Sequence, residues 1–229
     1  AMKMDPFLEM QPFHTMYQDG QISAAGENLG CDITAAVREA VGPDVEVLID
    51  AHGHYNVATA VRLGNRLYDE SKIDWFEEPC PPESVEALRS VRQQLRAPMC
   101  LGERLFTRWD YARILHEGLT DFIMPDVTWT GGISELKKIA TMAETYYIPI
   151  SPHNAQGPGQ ILGGAHVSMS TPNFYRLEHA LDFKPAYDRY MVEPFNWQGN
   201  KLILNGKPGL GTDLDMDAVR ADLHPDWVV

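Results

Sequence analysis

Basic residues are scarce in this sequence. Over 229 residues, 19 Lys and Arg face 32 Asp and Glu, a formal net charge of −13 at pH 7. A chain so charged is repelled by nucleic acid and by anionic membranes, so neither is expected as a partner. Cysteine is scarcer still. Cys31, Cys80 and Cys100 are odd in number and form no Cys-x-x-Cys pair, so neither a disulfide framework nor a zinc knuckle is indicated, and a reducing cytoplasm is the expected home. No stretch approaches the ~20 apolar residues of a membrane span, and no signal peptide is expected. With 44% hydrophobic residues, the chain can build one sizeable core.

What the chain does contain begins with residues 45–54, VEVLIDAHGH. Val45, Val47, Leu48 and Ile49 form a nearly continuous apolar run, which suits a strand covered on both faces in a parallel α/β sheet. Asp50, His52 and His54 follow at once. A carboxylate where an apolar strand runs out is either a helix cap or part of a site. The pattern recurs: DWFEE ends on Glu77 and Glu78, PMCLGE on Glu103, DFIMPD on Asp126, IPISPH on His153, and FYRLEH carries Glu178 and His179. From Asp50 the successive intervals to Glu77, Glu103, Asp126, His153 and Glu178 are 27, 26, 23, 27 and 25 residues. That spacing holds one strand and one helix, so the chain reads as a βα repeat with a parallel sheet. A β/α barrel keeps its chemistry at the carboxyl ends of successive strands.

The helices between are legible in outline. The spacing predicts a helix from a cap at Asp32 to Val41, stopped by Gly42-Pro43, one with Val57, Val61 and Leu67 on a shared face, and one beginning near Ser84 with Val85, Leu88, Val91 and Leu95 inward. Thr107-x-x-Asp110 has capping-box spacing and predicts a helix over 109–116. Gly131-Gly132 leads into a helix with Ile133, Leu136, Ile139 and Met142 on its buried stripe. Residues 157–170 are Gly-rich and weakly helical. Residues 7–30 show no clean period and read as a long, lid-like loop carrying His14 and Tyr17. Beyond Glu178 the text turns Pro-, Trp- and Gly-rich, an irregular tail with a short hairpin around KLILNG.

A single acid after a strand is more often a cap than a ligand, but three in successive βα units change that weighting. Neighbouring parallel strands lie ~4.8 Å apart, so Asp50, Glu77 and Glu103 span roughly 10 Å and can converge on one ion. Three carboxylates without thiolate suit a hard cation, Mg²⁺ or Mn²⁺. Within FEEP only one glutamate points inward, since side chains alternate along a strand. Asp126 and His153 fall on the next two strands, where the carboxylate can orient the imidazole as a general base.

Taken together, IDAHG, WFEEP, LGE, MPDVTWTGGI, SPH and the late LE, in this order and spacing, resemble the enolase superfamily, mandelate racemase subgroup, and most closely its acid-sugar dehydratases of the galactonate dehydratase type. The resemblance covers nearly the whole chain. It implies a TIM-like (β/α)7β barrel, with Asp50, Glu77 and Glu103 as ligands of Mg²⁺ (Mn²⁺ also possible), His153 and Asp126 as the base dyad, and Glu178 as the eighth-strand glutamate. Lys3 matches the first lysine of the family's Lys-x-Lys pair. Asp5 replaces the second, which removes the lysine base of racemases and muconate-lactonising enzymes. Asp50-x-His52 matches galactonate-type dehydratases, where the histidine helps the hydroxyl leave. Family members carry an N-terminal α+β capping domain and a first barrel strand ahead of the lysine strand. This chain is therefore expected to hold strands two to eight of a longer protein: a barrel domain over 1–190, and a tail over 191–229 that packs back on the barrel or the capping domain.

The activity so implied is that of a lyase, a dehydratase converting an aldonate or aldarate to a 2-keto-3-deoxy acid. His153 acts as base, His52 as acid to the departing 3-hydroxyl, and Lys3 and Glu178 support the developing charge. His14, Tyr17, Arg104 and His179 are candidates for substrate contacts. The expected partner is a small sugar acid, and the expected assembly a homo-oligomer. Three other readings compete. A racemase, epimerase or cycloisomerase on the same scaffold would need a base where Asp5 stands. A metal-dependent hydrolase is suggested by His52-Gly53-His54, which imitates the His-x-His of amidohydrolase barrels. An inert sugar-acid-binding module would bind without exchanging a proton.

Overall fold

The structure is a computed structural model and describes residues 1–7, 20–224 and 226–227. Strands and helices alternate: β1 (Met2–Met4), α1 (Ala24–Val41), β2 (Val47–Asp50), α2 (Val57–Ser71), β3 (Trp75–Glu77), α3 (Val85–Gln94), β4 (Met99–Leu101), α4 (Thr107–His116), β5 (Phe122–Ile123), α5 (Ile133–Glu144) and α6 (Pro158–Met169). A 3₁₀ turn (Leu181–Phe183), α7 (Lys184–Tyr190), a hairpin of β6 (Asn196–Gln198) and β7 (Lys201–Ile203), and α8 (Met216–Ala221) complete it. β1 to β5 form one parallel sheet in sequence order. All four residues of β2 are buried, as expected of a strand covered on both faces. By contact density the chain divides into two compact units, Ala1–Leu105 with Trp109–Ile123, and Phe106–Arg108 with Met124–Val229.

In the first unit the repeat is held at the amino ends of the strands by acids that carry no chemistry. Asp74 Oδ2 accepts the Val47 N–H at 2.8 Å, and Asp121 Oδ2 accepts the Met99 N–H at 2.8 Å. Arg38 reaches Asp74 and the carbonyls of Val45, Ser71 and Lys72. The first Asp of DWFEE and of DFIMPD is thus structural, as suits the amino-terminal face of a βα repeat.

The interior sets α2 close on the sheet. A Cβ on Gly64 would lie 2.5 Å from Leu95 Cδ1 and 2.7 Å from Phe76 Cδ1. Gly64→Ala is therefore expected to destabilise: overpacking costs ~1–3 kcal/mol, more than the up to ~1 kcal/mol that Ala brings to a helix. The measurement is the urea midpoint, which falls.

The structure corrects the expected loop over residues 7–30. α1 begins at Ala24, capped by Ser23, whose Oγ accepts the Gly26 N–H at 3.1 Å. Asp32, the expected cap, lies inside the helix. Gly26 and Gly30 lower helix propensity and disguise its first turns. Gly30 is there for close packing, since a Cβ on it would meet the Phe7 ring at 1.9 Å. Residues 8–19, with His14 and Tyr17, lie outside the described residues.

Other elements shift less. α4 starts at Thr107, two residues early, and the Arg108 N–H is accepted by Glu135 Oε1 at 2.9 Å. On α5, Ala140 and Ala143 join Leu136 and Ile139 in the buried stripe, while Ile133 is 45% exposed and Met142 half-buried. On α2 the fully buried positions are Ala60, Leu63 and Leu67, with Val57 and Val61 half-buried beside them. In the second unit the strands expected at IPISPH and FYRLEH shrink to single parallel bridges, Asp126↔His153 and Ile150↔Phe174. Pro125 and Pro152 explain part of this, because proline donates nothing to a ladder. The tail carries helices α7 and α8 besides the expected hairpin. Its Tyr187, Met191, Phe195, Trp197 and Leu202 pack with Ile161 and Leu162 of α6.

Candidate active site

Asp50 and Glu77 are the last residues of β2 and β3 and stand side by side in register; Glu103 follows β4. One carboxylate oxygen from each lies within 4.8 Å of the others. Asp50 is 3% exposed and Glu77 fully buried. Carboxylates so close and so dry repel unless countercharge is present. Lys3, on β1, supplies some: its ammonium lies 3.0 Å from Asp50 Oδ2 and 3.0 and 3.1 Å from the two Glu77 oxygens. Arg104 Nε lies 3.3 Å from Glu103 Oε1. An all-oxygen set of three converging carboxylates is what a hard divalent cation takes, so the residues present fit such an ion. Among the described residues it is the one metal-capable group, and it contains no histidine. That argues against the hydrolase reading of His52-Gly53-His54, whose rings stand 6.0 Å apart.

FEEP divides as side-chain alternation requires. Glu77 joins the cluster; Glu78 turns away with a left-handed φ of 40° and accepts the Gly102 N–H on Oε1 at 3.0 Å. Burial, then the charge of Glu103, push its carboxyl up to about 8, against the lowering effect of the Gly102 bond. The folded chain therefore keeps a proton that the unfolded chain releases near the ordinary glutamate value of 4.5. Stability due to this group falls as pH rises from about 4.5 to about 8 and then levels off. Glu78→Gln has no proton to release, so its stability relative to wild type should rise across that window. Denaturation of both proteins at pH 5 and pH 8 in EDTA checks it.

His52 follows Asp50 in a tight turn with φ 48°, and its N–H donates to Asp50 Oδ1 at 2.9 Å. Its Nδ1 lies 2.7 Å from Asp5 Oδ2, and its Nε2 lies 3.5 Å from Asp50 Oδ2. Burial lowers the proton affinity of His52, but the Asp5 bond and the charges of Asp50 and Glu103 outweigh it and hold the imidazole above its ordinary value. His54 goes the other way, lowered by burial and then by His52. The Arg104 guanidinium donates to the His52 carbonyl at 2.5 Å, so this expected substrate contact also braces the turn.

The second unit holds the other chemistry. Asp126 Oδ1 accepts the Thr128 N–H at 2.7 Å, the Thr128 hydroxyl at 2.6 Å and the Trp129 N–H at 3.2 Å. Its Oδ2 lies 2.8 Å from His153 Nδ1 and accepts from the Gln160 amide. Burial raises the Asp126 carboxyl, but these bonds, His153 first, lower it below its usual value. An ionised carboxylate there fixes the proton on Nδ1 and leaves Nε2 as the basic nitrogen. Glu178 Oε2 is 3.7 Å from that Nε2 and accepts the Asn154 N–H at 2.9 Å. His179 packs against Trp197 at 4.7 Å between ring centroids, and burial lowers its proton affinity.

The sequence gives no sign of Gln160, which reaches Asp126 from α6 across 34 residues, nor of the Asp5–His52 pair. Thr128 was open to inference, because Asp-x-Thr after a strand is an Asx-turn pattern.

A parallel βα repeat with a carboxylate triad at the strand ends defines a class of cation-binding α/β enzymes. Residues 14–218 match the family described as enolase C-terminal domain-like, and the chain belongs to that family. It is 33% identical to a D-gluconate dehydratase of Thermoproteus tenax, over all of this chain and 46% of that protein. It is 34% identical to a D-galactarolactone cycloisomerase of Agrobacterium fabrum, over 85% of this chain and 53% of that one. Among solved structures, a mandelate racemase/muconate lactonizing enzyme-like protein from Rubrobacter xylanophilus matches with a TM-score of 0.88 and 36% identity, over 98% of this chain and 57% of that one. The chain thus spans about half the length of these relatives. Among the described residues, no helix is long and apolar enough to cross a membrane.

Proposed function

We propose that this chain is the main catalytic portion of a Mg²⁺-dependent acid-sugar dehydratase, a hydro-lyase whose substrate is an aldonate or aldarate. The observation that carries the reading is the triad of Asp50, Glu77 and Glu103 within 4.8 Å in a relative of a gluconate dehydratase. Asp50, Glu77 and Glu103 would hold the ion, with Lys3 balancing their charge. When bound, the ion supplies Lewis-acid stabilisation of the charge that develops on the substrate carboxylate, worth several kcal/mol.

The chain's own residues do the rest. Nε2 of His153 takes the proton alpha to the carboxylate, and Asp126 steadies the imidazolium through Nδ1. The substrate becomes an enediolate. Nε2 of His52 gives a proton to the 3-hydroxyl as the carbon–oxygen bond breaks, water leaves, and the enol ketonises to a 2-keto-3-deoxy acid. Glu178, against His153 Nε2 and the Asn154 N–H, keeps the base facing its task. Arg104 and His179 remain candidates for substrate contacts, as do His14 and Tyr17. The racemase and cycloisomerase alternatives need a second base in place of Asp5, and that carboxylate is engaged with His52.

The test is a pooled acid-sugar screen of the full-length protein with Mg²⁺, with and without EDTA, reading the 2-keto-3-deoxy product by semicarbazone absorbance. Product that EDTA abolishes is expected. Alpha-proton exchange in D₂O without elimination would replace this reading by racemisation or epimerisation.

A further inference from the structure

We infer that Asp5 is a positioning residue for elimination, fixing the His52 proton on Nδ1 so that Nε2 faces the leaving hydroxyl. The inference rests on the dehydratase reading above. Read by resemblance, Asp5 marks only a missing lysine; in the structure it has a partner of its own. Its side chain is 1% exposed. Oδ1 accepts the Phe7 N–H at 2.8 Å and Oδ2 lies 2.7 Å from His52 Nδ1, so the carboxylate cannot swing without breaking a bond on each side. Phe7 is itself anchored, its ring buried over Gly30.

Two acceptors do not settle 2.7 Å apart, so the nitrogen facing the buried Asp5 carboxylate carries a proton. The rest of the turn agrees. The His52 N–H is tied to Asp50 and its carbonyl to Arg104, which fixes the backbone that carries the ring, and a ring flip would break the Nδ1 contact with Asp5. The chain contains the same arrangement a second time, in Asp126 Oδ2 and His153 Nδ1 at 2.8 Å. Acid and base thus each take a carboxylate on Nδ1 and work through Nε2. In the step itself, Nε2–H passes its proton to the 3-hydroxyl as water departs. His52 is left neutral with Nδ1–H still on Asp5, and solvent returns the proton to Nε2.

The experiment uses full-length protein labelled with ¹⁵N-histidine. Long-range ¹H–¹⁵N spectra, assigned by loss of the signal in His52→Asn, should show neutral His52 protonated on Nδ1 in wild type and a mixture of tautomers in Asp5→Asn. In D₂O with a turned-over sugar acid, Asp5→Asn should slow elimination ~10–100-fold, the usual loss when a carboxylate orienting a functional histidine is removed. Alpha-proton exchange should stay within about threefold by the same logic, since its base lies elsewhere. Asp5→Asn added to His52→Asn should cost nothing further, because a residue acting through His52 has nothing left to act on, and Asp5→Glu should recover part of the rate.

Neutral His52 protonated on Nε2 in wild type would overturn the inference. So would multiplying losses in the double variant, or exchange and elimination falling together. If wild type neither exchanges nor eliminates any acid sugar, the dehydratase reading fails separately. The wild-type spectrum, with His52 assigned by the signal missing from His52→Asn, then decides the Asp5–His52 pairing alone.

Discussion

His153→Asn is expected to abolish exchange of the substrate's alpha proton with solvent and to lower dehydration by about 10³-fold or more, within the 10²–10⁴ range that a positioned general base contributes. The substitution keeps a side chain of similar reach that can still donate to Asp126, so the second unit should fold unchanged. What disappears is Nε2, the atom that Asp126 leaves basic by holding the proton on Nδ1. His52→Asn should give the complementary result, sparing exchange and cutting elimination to a small residual rate. Proton NMR in D₂O reads exchange and product formation from the same sample. Normal turnover in both variants would show the roles to be misassigned.

Glu77→Gln should weaken binding of Mg²⁺ or Mn²⁺ by more than ~10²-fold, since losing even an outer group that supports a ligand costs 10–100-fold. Glu77 is fully buried beside Asp50 with both its oxygens on Lys3, so its charge cannot be replaced by a neighbour without rebuilding the cluster. The amide keeps the shape, and the Lys3 ammonium retains Asp50 at 3.0 Å, which keeps the fold intact. Titration of Mn²⁺ followed by electron paramagnetic resonance measures the loss. Glu83→Gln, at an exposed position six residues on, serves as control and should bind as wild type. Equal affinity in Glu77→Gln would remove the triad from the metal site.

Much of this was legible in the chain because strands and helices write their periods locally. An apolar strand that stops at an acid, repeated every 23 to 27 residues, gives the order of β2 to β5 and the addresses of Asp50, Glu77 and Glu103. Alternation even shows that only one of Glu77 and Glu78 faces inward, and the family resemblance says which. Local reading failed where two meanings share one residue type. Gly30 reads as a loop breaker but is the floor for the Phe7 ring, so the sequence points to a cap at Asp32, nine residues after the cap at Ser23. Asp74 and Asp121 read like the other acids around a strand, yet they hold strand N–H groups at the opposite end.

The sequence by itself determined the βα alternation, the acidic strand ends and the histidines that follow them, because each depends on residues a turn or a strand apart. The tertiary structure alone decided what those groups are to one another. Lys3 meets Glu77 across 74 residues, Asp5 meets His52 across 47, and Gln160 meets Asp126 across 34. Protonation is decided at the same level: burial keeps Glu78 neutral, and a buried carboxylate faces Nδ1 of His52 and of His153. A proton goes where the surrounding charge and the lack of water put it, and folding creates both.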